Sequence, residues 1–212
     1  MAKLSILRDQ IRAHLLLQIQ KGGLQIGKPI NLAALSRDTG VSVTPIREAL
    51  SQLEQAQVLQ AIPNRGFIVA KLSKTEVKNL IEIVAQLEVM ALENSQFDSH
   101  AMDTLDSLQS QMEEAGSIQE GLTLRFNFHN HLVRHCTNKI LLQILKDLKL
   151  RLHFYEYDFI RDFEFFKKLS AQTRSVVEAV QEDNVPTAAL ILRMHWMSIL
   201  EHIEAQIHVK KG

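Results

Sequence analysis

Ser42-Val43-Thr44-Pro45-Ile46-Arg47-Glu48-Ala49-Leu50 is the stretch whose reading decides the fold. Thr44 offers its hydroxyl as an N-cap, and Pro45, next in line as the first helical residue, wastes no donor and presets φ. The stretch therefore predicts a sharply started helix. Arg47 falls in its first turn, where the macrodipole disfavours a cation and favours an anion. A phosphate in front of that turn would reverse the penalty. Free backbone N–H groups, with the hydroxyls of Ser42 and Thr44, suit the same turn to gripping a nucleic-acid backbone. For a helix standing alone, a solvated start is the plainer reading.

This helix has neighbours. Upstream, Asn31 can cap a short apolar helix through Leu32, Ala33 and Leu35, and Gly40 makes the turn into Val41, which is helix-turn-helix order. Downstream, residues 58–62 and 67–70 read as two short strands joined by Pro63-Asn64-Arg65-Gly66. Gly66 supplies the positive φ that such a hairpin needs, leaving Arg65 at its tip. Helix, turn, helix and hairpin predict a winged helix.

The Thr-Pro-x-Arg-Glu-Ala-Leu run and the Asn-Arg-Gly hairpin resemble the DNA-binding domain of the GntR family of bacterial transcription regulators, over about the first third of the chain. The resemblance implies that Ser42, Thr44, Arg47, Arg65 and Gly66 touch an inverted-repeat operator, and Arg37 and Asn64 join them as candidates. Two positions depart from the family pattern, Val43 where it usually has Arg and Gln57 where it usually has Gly. Losing that Arg removes a guanine contact worth roughly 1 to 3 kcal/mol of discrimination.

With 212 residues and 46% hydrophobic composition, the chain is long enough for one small and one medium core. The apolar stretch at residues 14–19 is too short for a membrane span or signal peptide, so a cytoplasmic protein is expected. Cys136 is the only cysteine, which rules out an intrachain disulfide and reads as a small buried hydrophobe. The net charge of zero hides an asymmetry. Residues 1–72 carry nine Lys and Arg against four Asp and Glu, or +5, leaving −5 for residues 73–212. A basic reader joined to an acidic body steers DNA to one end.

From Ser73 onward apolar residues recur at three- and four-residue spacing with almost no strand signal. Ser73 with Glu76 and Ser117 with Glu120 have capping-box spacing, and Asp98, Asn138 and Ser170 are further start candidates. Helices are predicted over 74–97, 99–115, 118–136, 139–167 with a break near Phe159, 170–182 and 186–208. The fold class is mainly α, with a winged helix-turn-helix over 1–72 and an all-α bundle of six or seven helices over 73–212.

On the helix from Ser117, Phe128, Leu132, Cys136, Leu122, Val133 and Phe126 make one apolar arc, with Arg125 and His129 near its centre. A buried Arg needs a partner that compensates its charge. His195 and Thr173 likewise fall among apolar residues of two later helices. Singly each reads as a satisfied core polar residue. Together they predict a polar pocket inside the bundle, where helical bundles hold ligands.

Phe128-His129-x-x-Leu132 with Asn138, and Glu178-Ala179-Val180 leading to His195, are similar to the FCD effector domain of the FadR subfamily. In many members an Asp and three His hold a divalent metal that helps bind a carboxylate. By position those ligands become Arg125, His129, Thr173 and His195, so only His129 and His195 survive. Two imidazoles make a poor metal site, and an Arg beside them repels a cation. The expectation is therefore that no cofactor is required, that a divalent metal is disfavoured, and that Arg125 pairs with an anionic effector by a bidentate contact. The subfamily's usual Arg in the first body helix is replaced by Val84, before Leu87-Glu88, which points to a less polar effector.

His131 and His135 lie four apart beside His129, but the Glu of a His-Glu-x-x-His motif is absent, so a metal-dependent enzyme is the weaker reading. The run Arg151-Leu152-His153-Phe154-Tyr155-Glu156-Tyr157 offers contacts to the pocket or a mixture of core and surface. A third reading is a DNA-binding dimer with no ligand. The reading adopted is a homodimeric regulator, not an enzyme, that represses from a palindromic double-stranded DNA operator. A small carboxylate at Arg125, His129, Thr173 and His195 would release it by shifting the two DNA-binding domains, with no membrane involved.

Overall fold

The computed structural model describes residues 26–63 and 66–209, with 6, 7, 10, 11, 13–15 and 18 before them. It divides into two compact units, Met1–Leu72 and Ser73–Gly212.

In the first unit, α1 (Leu32–Thr39) is capped by Asn31, whose Oδ1 accepts from Ala34 N at 3.0 Å, and ends at Gly40 with φ 68°. Next comes α2 (Val43–Gln55), which buries Ile46, Ala49, Leu50 and Leu53. Its start corrects the sequence reading. Ser42, not Thr44, is the N-cap, with no side-chain cap bond, and Thr44 and Pro45 lie inside the first turn. The first N–H groups of a helix have no intrahelical acceptor, so proline is as harmless at the third helical position as at the first. Sequence alone could not separate the two registers.

Strand β1 (Leu59–Ile62) pairs antiparallel with β2 (Gly66–Val69), Leu59 facing Val69 and Ile62 facing Gly66. Gly66 has the positive φ predicted for it, 83°. Asn64 and Arg65 lie outside the described residues. Gln57, just before β1, also has a positive φ, 57°, so the position where the resemblance expects Gly keeps the glycine-like backbone.

Among the described residues the second unit has six helices: α3 (Lys74–Glu93), α4 (Ser99–Glu114), α5 (Ile118–Leu132), α6 (Lys139–Phe159), α7 (Phe163–Gln181) and α8 (Val185–Val209). Ser73 and Glu76 form the predicted capping box, and Asp98, Ser117 and Asn138 cap as expected. Three boundaries differ. α3 stops at Glu93 because Asn94 and Ser95 donate side-chain hydrogen bonds to Met90 O and Ala91 O, terminating it ahead of 97. α5 ends at Leu132 rather than 136. The break near Phe159 is real, but the next helix begins at Phe163, where Asp162 accepts from Glu164 N. Ser170 is therefore a buried interior residue of α7 and not a cap.

α3 packs on α6 and α8, α4 on α5 and α7, α7 also on α8, and α5 on α6 and α7. Phe128, Leu145, Phe154, Phe166, Val177, Leu192 and Trp196 fill the core, with Cys136 buried as the sequence suggested. α5 approaches α7 so closely at Gly121 that a Cβ there would collide with the Phe166 ring.

Candidate functional site

The N-terminal unit gathers its candidates at the start of α2. Ser42, Thr44 and Arg47 are exposed there, as is Arg37 on α1. Arg47 and Gly66 line one groove with Ile30, Asn31, Leu32, Ala61, Ile62 and Phe67. Packing Ile46, Ala49 and Leu50 into the core turns the intervening Arg47 outward, toward the hairpin base. Among the described residues Arg47 is the only charged one on the groove walls, giving them a positive sign.

The helical unit carries a buried polar network built from four helices. Arg125, on α5, donates from Nη1 to Glu156 Oε1 on α6 at 2.6 Å, and from Nε and Nη2 to His195 Nε2 on α8 at 3.3 and 3.0 Å. Its guanidinium lies over the Trp196 ring, 4.9 Å from the centroid. The partner that Arg125 required is thus inside the fold. Beside it, Glu88 on α3 accepts from His129 Nδ1 at 2.8 Å, Trp196 Nε1 at 2.7 Å and Lys149 Nζ at 3.2 Å. Lys149 also donates to His129 O at 2.8 Å.

Charge in this network is balanced, two carboxylates against Arg125 and Lys149. Burial alone would raise both carboxyls, but the opposing charges and hydrogen bonds outweigh it and hold Glu88 and Glu156 down at about 2. For Glu156 the dominant opposing charge is Arg125, with His153 adding a hydrogen bond. Burial pushes His129 down despite the pull of Glu88, with Arg125 and Lys149 reinforcing the fall. It pushes His195 well down, again reinforced by Arg125. Both imidazoles are therefore neutral at pH 7, and His129 supports Glu88 as an N–H donor rather than as a cation.

Arg125, His129 and His195 come together as the sequence predicted. Thr173 is held in another knot, donating from Oγ1 to Gln109 Oε1 at 2.7 Å, while Gln109 Nε2 donates to Ser170 O at 2.8 Å. A divalent metal does not fit these residues. The His195 Nε2 lone pair is spent on Arg125, the guanidinium is itself a cation, and the Thr173 hydroxyl is committed to Gln109. Among the described residues no group of three or more His, Cys, Asp or Glu is arranged to hold a metal. Val84 is fully buried.

Sequence reasoning gave no role to Glu88, Lys149, Trp196 and Gln109, and took Glu156 only as one member of a run open to the pocket. The signal was present. Glu88 lies on the stripe Ile81, Val84, Ala85, Leu92 of α3, and Lys149 and Glu156 lie on the stripe Leu141, Leu145, Leu152 of α6.

Comparison with known proteins accounts for both units. The model for bacterial regulatory proteins of the gntR family matches residues 7–69, and the FCD domain model matches 79–198, more than half of the chain. The chain is a gntR-family regulator with an FCD domain. It is similar to the HTH-type transcriptional regulator YdhC of Bacillus subtilis, 28% identical over 193 residues covering 88% of this chain and 86% of that protein. It is also similar to the HTH-type transcriptional repressor GlaR of Escherichia coli, 25% identical over 202 residues covering 88% and 90%. The solved structure of E. coli McbR shares the fold, with TM-score 0.79 at 22% identity over 95% of this chain and 98% of that one. These relatives are transcription regulators, so the metal-dependent enzyme reading is set aside. Among the described residues no helix is long and apolar enough to cross a membrane.

Proposed function

We propose that this DNA-binding regulator acts in the cytoplasm as a homodimeric repressor on a palindromic operator, and that a small carboxylate metabolite bound in the helical unit releases it. The observation that carries the DNA half is the groove shared by Arg47 and the hairpin base at Gly66. A helix N-terminus and a wing meeting at a positive groove suit a phosphate backbone and the adjoining base edges. Two-fold symmetry of a dimer would set the spacing of the half-sites. Repression is supported by GlaR and by a D-xylose utilization repressor of Paenarthrobacter nicotinovorans, which is 27% identical over 139 residues.

The effector half rests on Arg125. A guanidinium has five N–H donors, and the contacts to Glu156 and His195 engage one on each nitrogen. One N–H on Nη1 and one on Nη2 therefore remain for a carboxylate. Such a ligand can weaken operator binding only through different affinities for the DNA-competent and released arrangements.

Fluorescence anisotropy on a selected operator, with the oligomeric state followed by sedimentation, tests this. Arg47→Ala should weaken binding strongly and make it less salt-dependent, since a lost phosphate contact lowers the salt slope by about one. A monomeric protein that binds its operator would overturn the dimer, and unchanged affinity in Arg47→Ala would overturn the assigned DNA face. An effector acid at 100 times its Kd should stabilise the protein by roughly 2.7 kcal/mol. A panel of carboxylates that gives no shift would favour a ligand-independent dimer.

A further inference from the structure

We infer that Val43 reads the methyl group of a thymine in the operator. This rests on the DNA-binding face proposed above and names the chemistry of one base contact.

The register of α2 decides where Val43 stands. With Ser42 as the N-cap, Val43 is the first residue of the helix rather than a residue ahead of it. Residues three and four apart share a helix side, so Val43 lies one turn before Arg47, which lines the groove beside the hairpin base. Its neighbours at this end, Ser42, Thr44 and Arg47, are polar and exposed. Val43 is itself 38% exposed, whereas the apolar side chains that hold α2 to its unit, Ile46, Ala49, Leu50 and Leu53, are at most 1% exposed. It therefore contributes little to the core. A single exposed valine is ordinary on a protein surface, but this one stands among the polar groups that face DNA.

In a helix-turn-helix the first residues of the second helix meet base edges in the major groove. There the bases present N–H donors, nitrogen and oxygen acceptors, and one apolar group, the thymine C5-methyl. A valine side chain has no atom that donates or accepts. Against guanine, adenine or cytosine it would take water from a polar edge and offer nothing in return. Against thymine its branched alkyl end buries a methyl that water otherwise covers. Being β-branched it has few rotamers, so the contact costs little side-chain freedom. Val43 thus favours thymine at one position, apart from what Arg47 and Thr44 contribute.

The test uses the full chain and an operator selected from random DNA, each thymine replaced in turn by deoxyuridine, which removes only the methyl. Fluorescence anisotropy should find a thymine whose replacement weakens wild-type binding about fourfold, the effect of burying one methyl. That readout needs no variant. In Val43→Ala the same replacement should change affinity by less than about twofold, because the partner of the methyl is gone. An operator in which no thymine is sensitive to the loss would overturn the inference and leave the DNA-binding face standing. So would a loss that persists undiminished in Val43→Ala, which would assign the methyl to Thr44 or another group. Wild-type affinity in both Arg47→Ala and Val43→Ala would overturn the face itself and the inference with it.

Discussion

Glu156→Gln should cost the helical unit far more than its one-atom chemistry suggests. Arg125 and Glu156 are both buried and 2.6 Å apart, and among the described residues the only other acceptor engaging the guanidinium is the neutral His195. The substituted glutamine would keep the shape and remove the charge, leaving a guanidinium beside neutral groups. Breaking a buried pair by removing one partner typically costs about 3 to 5 kcal/mol, because the remaining charge is stranded. At about 4 °C per kcal/mol for a unit of this size, Tm should fall by about 12 to 20 °C. Arg125→Met should cost a similar amount by stranding Glu156. The double variant Arg125→Met/Glu156→Gln removes both charges and should lose far less than the two single losses summed, retaining about 1 to 3 kcal/mol for the buried polar atoms left without their partners. Urea unfolding followed by circular dichroism at pH 7 gives all four corners of this cycle. Single variants within about 1 kcal/mol of wild type, or a double variant as unstable as the sum of the singles, would refute the internal ion pair.

Three further outcomes follow from local geometry. Gln57→Gly should raise the thermal stability of the N-terminal unit by about 1 kcal/mol, the usual relief when a side chain leaves the left-handed region, and a drop on differential scanning calorimetry would contradict it. Gly121→Ala should destabilise the helical unit by about 1 to 3 kcal/mol in urea unfolding, since its Cβ meets the buried Phe166 ring, and a neutral result would mean that α5 and α7 have more room. Acid should act in two stages in a melting series from pH 8 to 3. His129 and His195 are depressed in the fold, so the unfolded chain takes up their protons first, and stability present above the ordinary value of 6.5 is lost below it. Glu88 and Glu156 are held at about 2, so their contribution is present above 4.5 and lost as pH falls from there toward 2. Each group can contribute up to about 1.4 kcal/mol per pH unit, and a flat profile between pH 7 and 5 would argue against neutral buried imidazoles.

The sequence carried the fold because its signals were local. A hydroxyl, a proline and a glycine at fixed offsets mark the ends of α1, α2 and the hairpin, and capping residues mark α3 through α6. It failed at α7 because Ser170 looks like a cap, while the true cap, Asp162, follows a helix end that no glycine marks. The candidate network was half legible for a related reason. Asking which polar residues interrupt an apolar stripe found Arg125, His129, His195 and Thr173, and the same question put to α3 and α6 finds Glu88, Lys149 and Glu156. Which of these pair with one another depends on how helices far apart in sequence are placed, and stripe patterns do not encode that. Thr173 shows the limit, since its inward position was legible and its commitment to Gln109 was not.

The placement of Lys149 and Glu156 gives the network a structural consequence apart from any ligand. They are seven residues apart on one face of α6 and carry opposite charges to different partners, Lys149 to Glu88 on α3 and Glu156 to Arg125 on α5. A slide of α6 by one helical turn moves each charge by about 5.4 Å, which breaks both pairs together and strands four buried charges. An apolar stripe of leucines would tolerate that slide at little cost, since Leu141, Leu145 and Leu152 resemble one another. Buried pairs add little net stability over a well-packed apolar core, but here they penalise the shifted packing severely. The charges thereby fix the register of α6 against both α3 and α5.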